Sequence, residues 1–166
     1  MKKKVISVGK DYTSLSPLFR ELVLKSGIKE QDNLIFAGCP GACYSMATFF
    51  SFGIRELNLN LYFAVNSDIH QLWKLEYVEN LGVVATRKED PVKAKIIVLM
   101  SGLCTLPIEH TLKFINDALV SDGIIIGEAP APGLFEEQGW DKQIPFNFLF
   151  EFSMKNPTSF KVDAML

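Results

Sequence analysis

Histidine and cysteine are scarce in this 166-residue sequence, which contains two histidines and three cysteines. The sequence also lacks the Gly-Lys-Ser/Thr ending of a P-loop, a serine-hydrolase nucleophile elbow, a His-Glu-x-x-His zinc motif and the protein-kinase motifs. These absences exclude ATP hydrolysis of the P-loop type. A histidine-driven acid–base enzyme would depend on His70 or His110 alone.

An excess of charge of one sign is also missing, because 17 Lys and Arg face 19 Asp and Glu for a net charge of −2. Nucleic acids and anionic membranes select basic faces, so this balance argues against both partners. Residues 33–54 carry no charge, yet glycines and a proline interrupt them, including Gly38, Pro40 and Gly53. We therefore predict a buried strand, a turn and a buried helix here, and no membrane span.

The cysteine count predicts a reducing compartment. The three residues are Cys39, Cys43 and Cys104, an odd number, whereas a disulfide framework requires an even one. Only a few apolar residues precede Asp11, which predicts no secretory signal peptide. We therefore expect free thiols and a cytoplasmic location.

Alternating strand and helix patterns predict an α/β fold. Strands are predicted at residues 34–37, 59–65, 82–86, 96–100 and 124–126, and helices at residues 14–26, 42–54 and 105–119. Residues 69–81 fit either element, and a connection of this length between parallel strands favours a helix. The pattern predicts a single three-layer Rossmann-like domain over residues 1–166, with a mostly parallel sheet of about five to seven strands and helices on both faces.

Phenylalanine alternates with other residues near the C-terminus, at Phe146, Phe148, Phe150 and Phe152. Such alternation predicts a strand with all four rings on one side. A face of this kind is typical of a protein core, and otherwise of a contact between subunits. A homodimer or a non-catalytic partner-binding module therefore stays open.

Two turns are expected to meet at the carboxyl edge of the sheet. In doubly wound sheets ligands bind beyond the carboxyl ends of the strands, where the strand order reverses. Cys39 and Cys43 follow the first core strand, and Cys104 follows the strand expected beside it. We therefore expect three thiols to line one crevice that takes a small-molecule ligand.

The first of these turns leads into a helix and reads Gly38-Cys39-Pro40-Gly41-Ala42-Cys43. The helix dipole is expected to lower the pKa of Cys39 or Cys43, which makes both candidate catalytic nucleophiles. Together with Cys104 they are also candidate metal ligands, for zinc with a fourth ligand such as His110 or for an iron–sulfur cluster. A reversible disulfide between Cys39 and Cys43 is a second option, and haem ligation at Cys39 is a third.

A nucleotide-type ligand is the alternative to thiol chemistry. Gly38 and Gly41 would let the backbone approach an anionic group, and Asp68 would accept ribose hydroxyls. Glu128, at the end of the last predicted core strand, is a candidate for orienting a ligand. The turn departs from Gly-x-Gly-x-x-Gly, Asp68 also suits a helix N-cap, and Glu128 also suits a solvated loop.

Three segments carry a resemblance to a known family: Ala37-Gly38-Cys39-Pro40-Gly41-Ala42-Cys43, Asn66-Ser67-Asp68 and residues 140–152. They resemble a small domain family of unknown function found in methanogenic archaea, over nearly the whole chain. This resemblance implies an anaerobic cytosol and carries no activity. Residues 96–126 are similar in architecture to S-adenosylmethionine-dependent methyltransferases, which implies S-adenosylmethionine as an alternative cofactor.

Overall fold

The computed structural model describes residues 2–153, so the predicted domain of residues 1–166 extends beyond the described residues. The helices are α1 (Leu15–Lys25), α2 (Ala42–Ile54), α3 (Ile108–Ala118) and α4 (Leu134–Glu137). The strands are β1 (Asn33–Gly38), β2 (Asn60–Val65), β3 (Leu72–Val78), β4 (Gly82–Glu89), β5 (Ala94–Met100), β6 (Leu119–Ala129) and β7 (Phe148–Glu151).

Helices α1 and α2 form where the sequence predicts them. Apolar residues at helical spacing give α1 one buried side, which includes Phe19 and Val23. Helix α2 begins after Gly41, whose φ of +88° lies in the region that favours glycine. In the described part of the chain, no helix has both the length and the apolar composition required to cross a bilayer.

The strands form one mostly parallel sheet in the order β4-β3-β2-β1-β5-β6-β7. Strand β1 lies between β2 and β5, with Leu34 opposite both Leu61 and Ile96. The predicted α/β fold and the predicted position of β5 beside β1 are therefore confirmed. The carboxyl ends of β1 and β5 lie side by side, where the chain order reverses.

The helix favoured for residues 69–81 is wrong. A short 3-10 helix, Ile69–Gln71, leads directly into β3. Strand β3 pairs antiparallel with β2 and with β4. Antiparallel neighbours need only a short connection, so the argument from parallel strands did not apply here.

Helices cover both faces of the sheet, which confirms the three layers. The α1/α2 face holds a core whose largest side chains are Phe19, Phe36, Phe50, Phe63 and Phe150. The α3/α4 face holds a second core with Phe114, Phe135 and Trp140. A side chain at the carboxyl edge of the sheet therefore belongs to one face or the other, and this decides which groups can meet.

The C-terminal phenylalanines divide between the two faces. Phe148, Phe150 and Phe152 pack on the α1/α2 face, and the ring centroid of Phe150 lies 5.5 Å from that of Phe19. Phe146 precedes β7 and packs on the α3/α4 face, 4.9 Å from Phe135. The core interpretation is confirmed for Phe150, whereas the expectation of one shared side is wrong for Phe146. A homodimer stays a prediction.

Candidate functional site

Two of the three cysteines lie side by side at the carboxyl edge of the sheet. Strand β1 ends at Gly38, the turn that follows carries Cys39, and Cys43 lies in the first turn of α2. The Sγ atoms of Cys39 and Cys43 are 3.0 Å apart. Cys43 is buried and Cys39 is half-buried, so Cys39 is the more accessible thiol of the pair.

Two glycine backbones enclose this thiol pair. A Cβ atom on Gly38 would lie 2.5 Å from the Cβ atom of Cys43. A Cβ atom on Gly102, in the 3-10 helix after β5, would lie 2.4 Å from Cys43 Sγ and 2.6 Å from Cys39 Sγ. The turns after β1 and β5 therefore meet as expected, and the second turn contributes the backbone of Gly102 to the contact.

Cys104 lies on the other face of the sheet. Its side chain packs against the core of the α3/α4 face, whereas Cys39 and Cys43 pack on the α1/α2 face. Within the 3-10 helix Ser101–Thr105, Gly102 lies against the thiol pair, whereas the next residue, Leu103, packs in the core of the α3/α4 face. The predicted crevice and metal site of Cys39, Cys43 and Cys104 are therefore wrong. Among residues 2–153, no three histidine, cysteine or acidic side chains are grouped to hold a metal ion.

Burial controls the titration of the inner thiol. The pKa of Cys43 is raised to about 12, chiefly because burial disfavours the thiolate, and the hydrogen bond with Cys39 raises it further. Backbone hydrogen bonds from Cys39 and Gly102 act in the opposite direction and are smaller. Burial also raises the pKa of Cys104, to about 11. The expected lowering of the pKa is therefore wrong for Cys43, where desolvation exceeds the helix dipole.

Alkylation should reveal this raised pKa. Relative to an ordinary cysteine of pKa 9.0, a pKa of about 12 reduces the thiolate fraction near neutral pH about a thousandfold. We expect iodoacetamide to modify Cys43 about a thousandfold more slowly in the folded, reduced protein than in the same protein unfolded in urea. Peptide mass mapping gives both rates. Equal rates would contradict the burial of this thiol.

The residues proposed for a nucleotide lie in separate places, since Gly38 lies against the thiol pair and Asp68 does not. Asp68 caps the 3-10 helix Ile69–Gln71 by accepting a hydrogen bond from the His70 amide at 2.9 Å, as its N-cap interpretation predicts. That short helix contacts α3 on the α3/α4 face. Gly41 lies in the exposed turn before α2, and the Cys43 side chain occupies the space beside Gly38.

Glu128, the candidate for orienting a ligand, is a buried residue of the sheet. It is part of β6 and only 3% exposed, so the solvated-loop alternative is wrong. It lies opposite Met100 and Phe150, and both of these pack on the α1/α2 face, the face of the thiol pair. Burial raises its pKa to about 7. The only sign of this buried position in the sequence is that an acidic residue ends a predicted strand. In the sheet, that strand is two places from β1, which precedes Cys39.

The pH dependence of folding should show this carboxyl. Its pKa rises from 4.5 to about 7 on folding, so the folded state binds the extra proton and stability falls as pH rises between these values. The loss is on the order of 3 kcal/mol. We expect Glu128→Gln to remove this part of the pH dependence, measured as the difference in unfolding free energy from the wild type at each pH. Glu79→Gln, at an exposed position, is the control, and parallel curves for Glu128→Gln and wild type would contradict the assignment.

Comparison with known proteins places the chain in an archaeal family. Residues 13–155 match the family described as an uncharacterized protein conserved in archaea (DUF2124), and the chain belongs to this family. The resemblance to a small domain family of methanogenic archaea is therefore confirmed.

The relatives come from methanogens. The chain is 29% identical over 153 residues to the uncharacterized protein MJ1183 of Methanocaldococcus jannaschii, covering 88% of this chain and 89% of that one. It is also 29% identical over 133 residues to an uncharacterized protein of Methanothermobacter thermautotrophicus, covering 75% and 81%. A crystal structure of a protein of unknown function from M. thermautotrophicus is similar in fold, with a TM-score of 0.83, 24% identity and coverage of 97% and 100%.

Proposed function

We propose that this member of the archaeal family uses Cys39 and Cys43 as a redox-active dithiol that exchanges with a small thiol-reactive ligand, a low-molecular-weight disulfide. The observation that carries the proposal is the distance of 3.0 Å between the two Sγ atoms. A disulfide bond is about 2 Å long, so closing it requires a shift of roughly 1 Å. Small rotations of the two side chains supply that shift.

The two thiols differ in a way that suits successive roles. Cys39 is half-buried and meets the ligand first. Cys43 is buried, and its raised pKa keeps it protonated until the mixed disulfide forms at Cys39. The backbone hydrogen bonds from Cys39 and Gly102 favour the thiolate of Cys43 at the moment of reaction.

The exchange balances without any further reactant. The Cys39 thiolate attacks one sulfur of the ligand disulfide, which forms a mixed disulfide and releases the first ligand thiol. Cys43 then loses its proton to solvent and attacks Cys39 Sγ, which releases the second ligand thiol. The ligand disulfide is reduced by two electrons, and the Cys39–Cys43 pair is oxidised to one disulfide.

Stoichiometry tests this proposal. We expect one chain of pre-reduced protein to convert one molecule of 2-hydroxyethyl disulfide to two molecules of 2-mercaptoethanol in the absence of oxygen. Cys104→Ser should leave this ratio unchanged, because Cys104 packs on the other face. A ratio of one thiol released per disulfide, or loss of the reaction in Cys104→Ser, would contradict the paired mechanism.

The backbone of Gly102 provides a second variant of the same test. The Cβ atom in Gly102→Ala would meet both sulfur atoms at less than 3 Å, so the two thiols must move out of their present positions. We expect the second step to slow roughly tenfold or more, because reacting atoms must be held in line. Unchanged release of the second thiol would contradict the geometry.

A further inference from the structure

A cavity lies on the α1/α2 side of the molecule, and neither Cys39 nor Cys43 is among its lining residues. We define the strap as residues 2–10, which contain no helix or strand and cross the opening between α1 and β7. Beneath the strap is a cavity of about 1110 Å³. Pockets for small molecules are commonly about 300–1,000 Å³, so this space accommodates a ligand of substantial size.

The strap is attached at three places along its length. The Lys3 ammonium pairs with Glu151 at 2.8 Å and also with Glu136. The Ser7 hydroxyl donates a hydrogen bond to Glu21 of α1 at 2.9 Å. Gly9 lies so close to α1 that a Cβ atom there would be 2.8 Å from Leu18. These attachments hold the strap above the cavity without filling it.

The floor of the cavity is apolar. It is lined by side chains from α1, α2 and the β7 region, which include Leu15, Leu18, Met46, Phe49, Phe148 and Phe152. Phe49 is 44% exposed although it projects from the helix that covers the core. Val5, Ile6 and Val8 of the strap also line this space and remain more than half exposed, at 73%, 51% and 82%. Apolar surface therefore faces the cavity from both sides.

The charges around this apolar space are mainly positive. The lining contains five lysines, Lys2, Lys3, Lys4, Lys10 and Lys25, and three acidic residues, Asp11, Glu21 and Glu151. Lys3 pairs with Glu151, Lys25 pairs with Glu21, and the Asp11 carboxylate accepts hydrogen bonds from Thr13. Within residues 2–153, the ammonium groups of Lys2, Lys4 and Lys10 have no ion pair.

We infer that the cavity beneath the strap binds a single-chain amphiphile, with its apolar chain along Leu18 and Phe49 and its anionic head group paired with one of the unpaired strap lysines, Lys2, Lys4 or Lys10. The apolar floor removes the chain from water, and this burial supplies most of the binding free energy. An ammonium group without an ion pair complements a phosphate or carboxylate head group. This site is independent of the proposed dithiol chemistry.

Calorimetry with dodecyl phosphate below its micelle concentration tests this inference. We expect saturable binding of one molecule per chain, stronger than that of the neutral dodecyl maltoside and absent for inorganic phosphate. Failure of dodecyl phosphate to bind, or equal binding of the two dodecyl compounds, would overturn the inference. Binding of the protein to phosphatidylglycerol vesicles, without binding of single dodecyl phosphate molecules, would also overturn the inference. That result would indicate attachment to a membrane surface and not occupation of the cavity.

Matched variants locate the site. Changing Lys2, Lys4 and Lys10 together to glutamine should weaken dodecyl phosphate binding roughly tenfold, whereas the same change at the exposed Lys29, Lys88 and Lys142 should not. Phe49→Asp should weaken it roughly tenfold as well. Phe52→Asp is the control on the same helix, since Phe52 is 43% exposed and does not line the cavity. Equal effects of test and control variants would contradict the location.

Discussion

Replacing Cys43 by serine should trap a mixed disulfide between Cys39 and the probe, whereas the wild-type protein should retain none. In the wild type the Cys43 sulfur lies 3.0 Å from Cys39 Sγ and displaces the bound probe thiol. Serine has no sulfur to carry out this step. We expect the mixed disulfide with 2-hydroxyethyl disulfide to persist roughly a hundredfold longer in Cys43→Ser, measured by intact-protein mass after acid quenching.

The reciprocal variant separates the roles of the two thiols. In Cys39→Ser the remaining thiol of the pair is the buried Cys43, so adduct formation at this site should be slow. Cys104→Ser in combination with each variant removes the third thiol from the measurement. Rapid adduct formation at Cys43, or a short-lived adduct in Cys43→Ser, would contradict the assigned order of reaction.

Replacing Phe19 by alanine should destabilise the fold more than any other change considered. Phe19 is fully buried, and its ring centroid lies 4.5 Å from that of Phe50 and 5.5 Å from that of Phe150. Removing the ring leaves a cavity between α1, α2 and β7. We expect the free energy of unfolding to fall by about 3–5 kcal/mol, measured by chemical denaturation.

Phe52→Ala is the control for this core prediction. Phe52 is 43% exposed and contacts Tyr77 and the Arg55 guanidinium at the surface. Its loss should cost no more than about 1 kcal/mol. Similar losses for the two variants would contradict the description of the α1/α2 core.

The sequence determines the central fold because local signals there agree with one another. Gly41 and the preceding proline mark the start of α2, and the apolar run of β1 indicates a strand buried on both faces. The β1–β5 adjacency follows from the general strand order of doubly wound sheets. Strand β3 was not predicted, because the apolar residues of 69–81 fit both the alternation of a strand and the spacing of a helix. The pairing with β2, which lies outside this segment, decides between the two elements.

Only part of the site could be predicted from the sequence. The strand order predicts that the turns after β1 and β5 meet, but it does not predict on which face of the sheet each side chain packs. Within the 3-10 helix after β5, Gly102 lies against the thiol pair, whereas Cys104, two residues later, packs on the opposite face. Burial of Glu128 depends on β6 extending to Ala129 and pairing with β7, which no local pattern near Glu128 specifies.

Isotope-coded alkylation of the three cysteines tests the central claim most directly. The wild-type protein is treated with one equivalent of 2-hydroxyethyl disulfide without oxygen, free thiols are blocked with light iodoacetamide in urea, and the remainder are reduced and labelled with heavy iodoacetamide. We expect Cys39 and Cys43 to carry heavy label in equal amounts and Cys104 to carry light label. Light label at all three positions, or heavy label at Cys104, would contradict a disulfide confined to the Cys39–Cys43 pair.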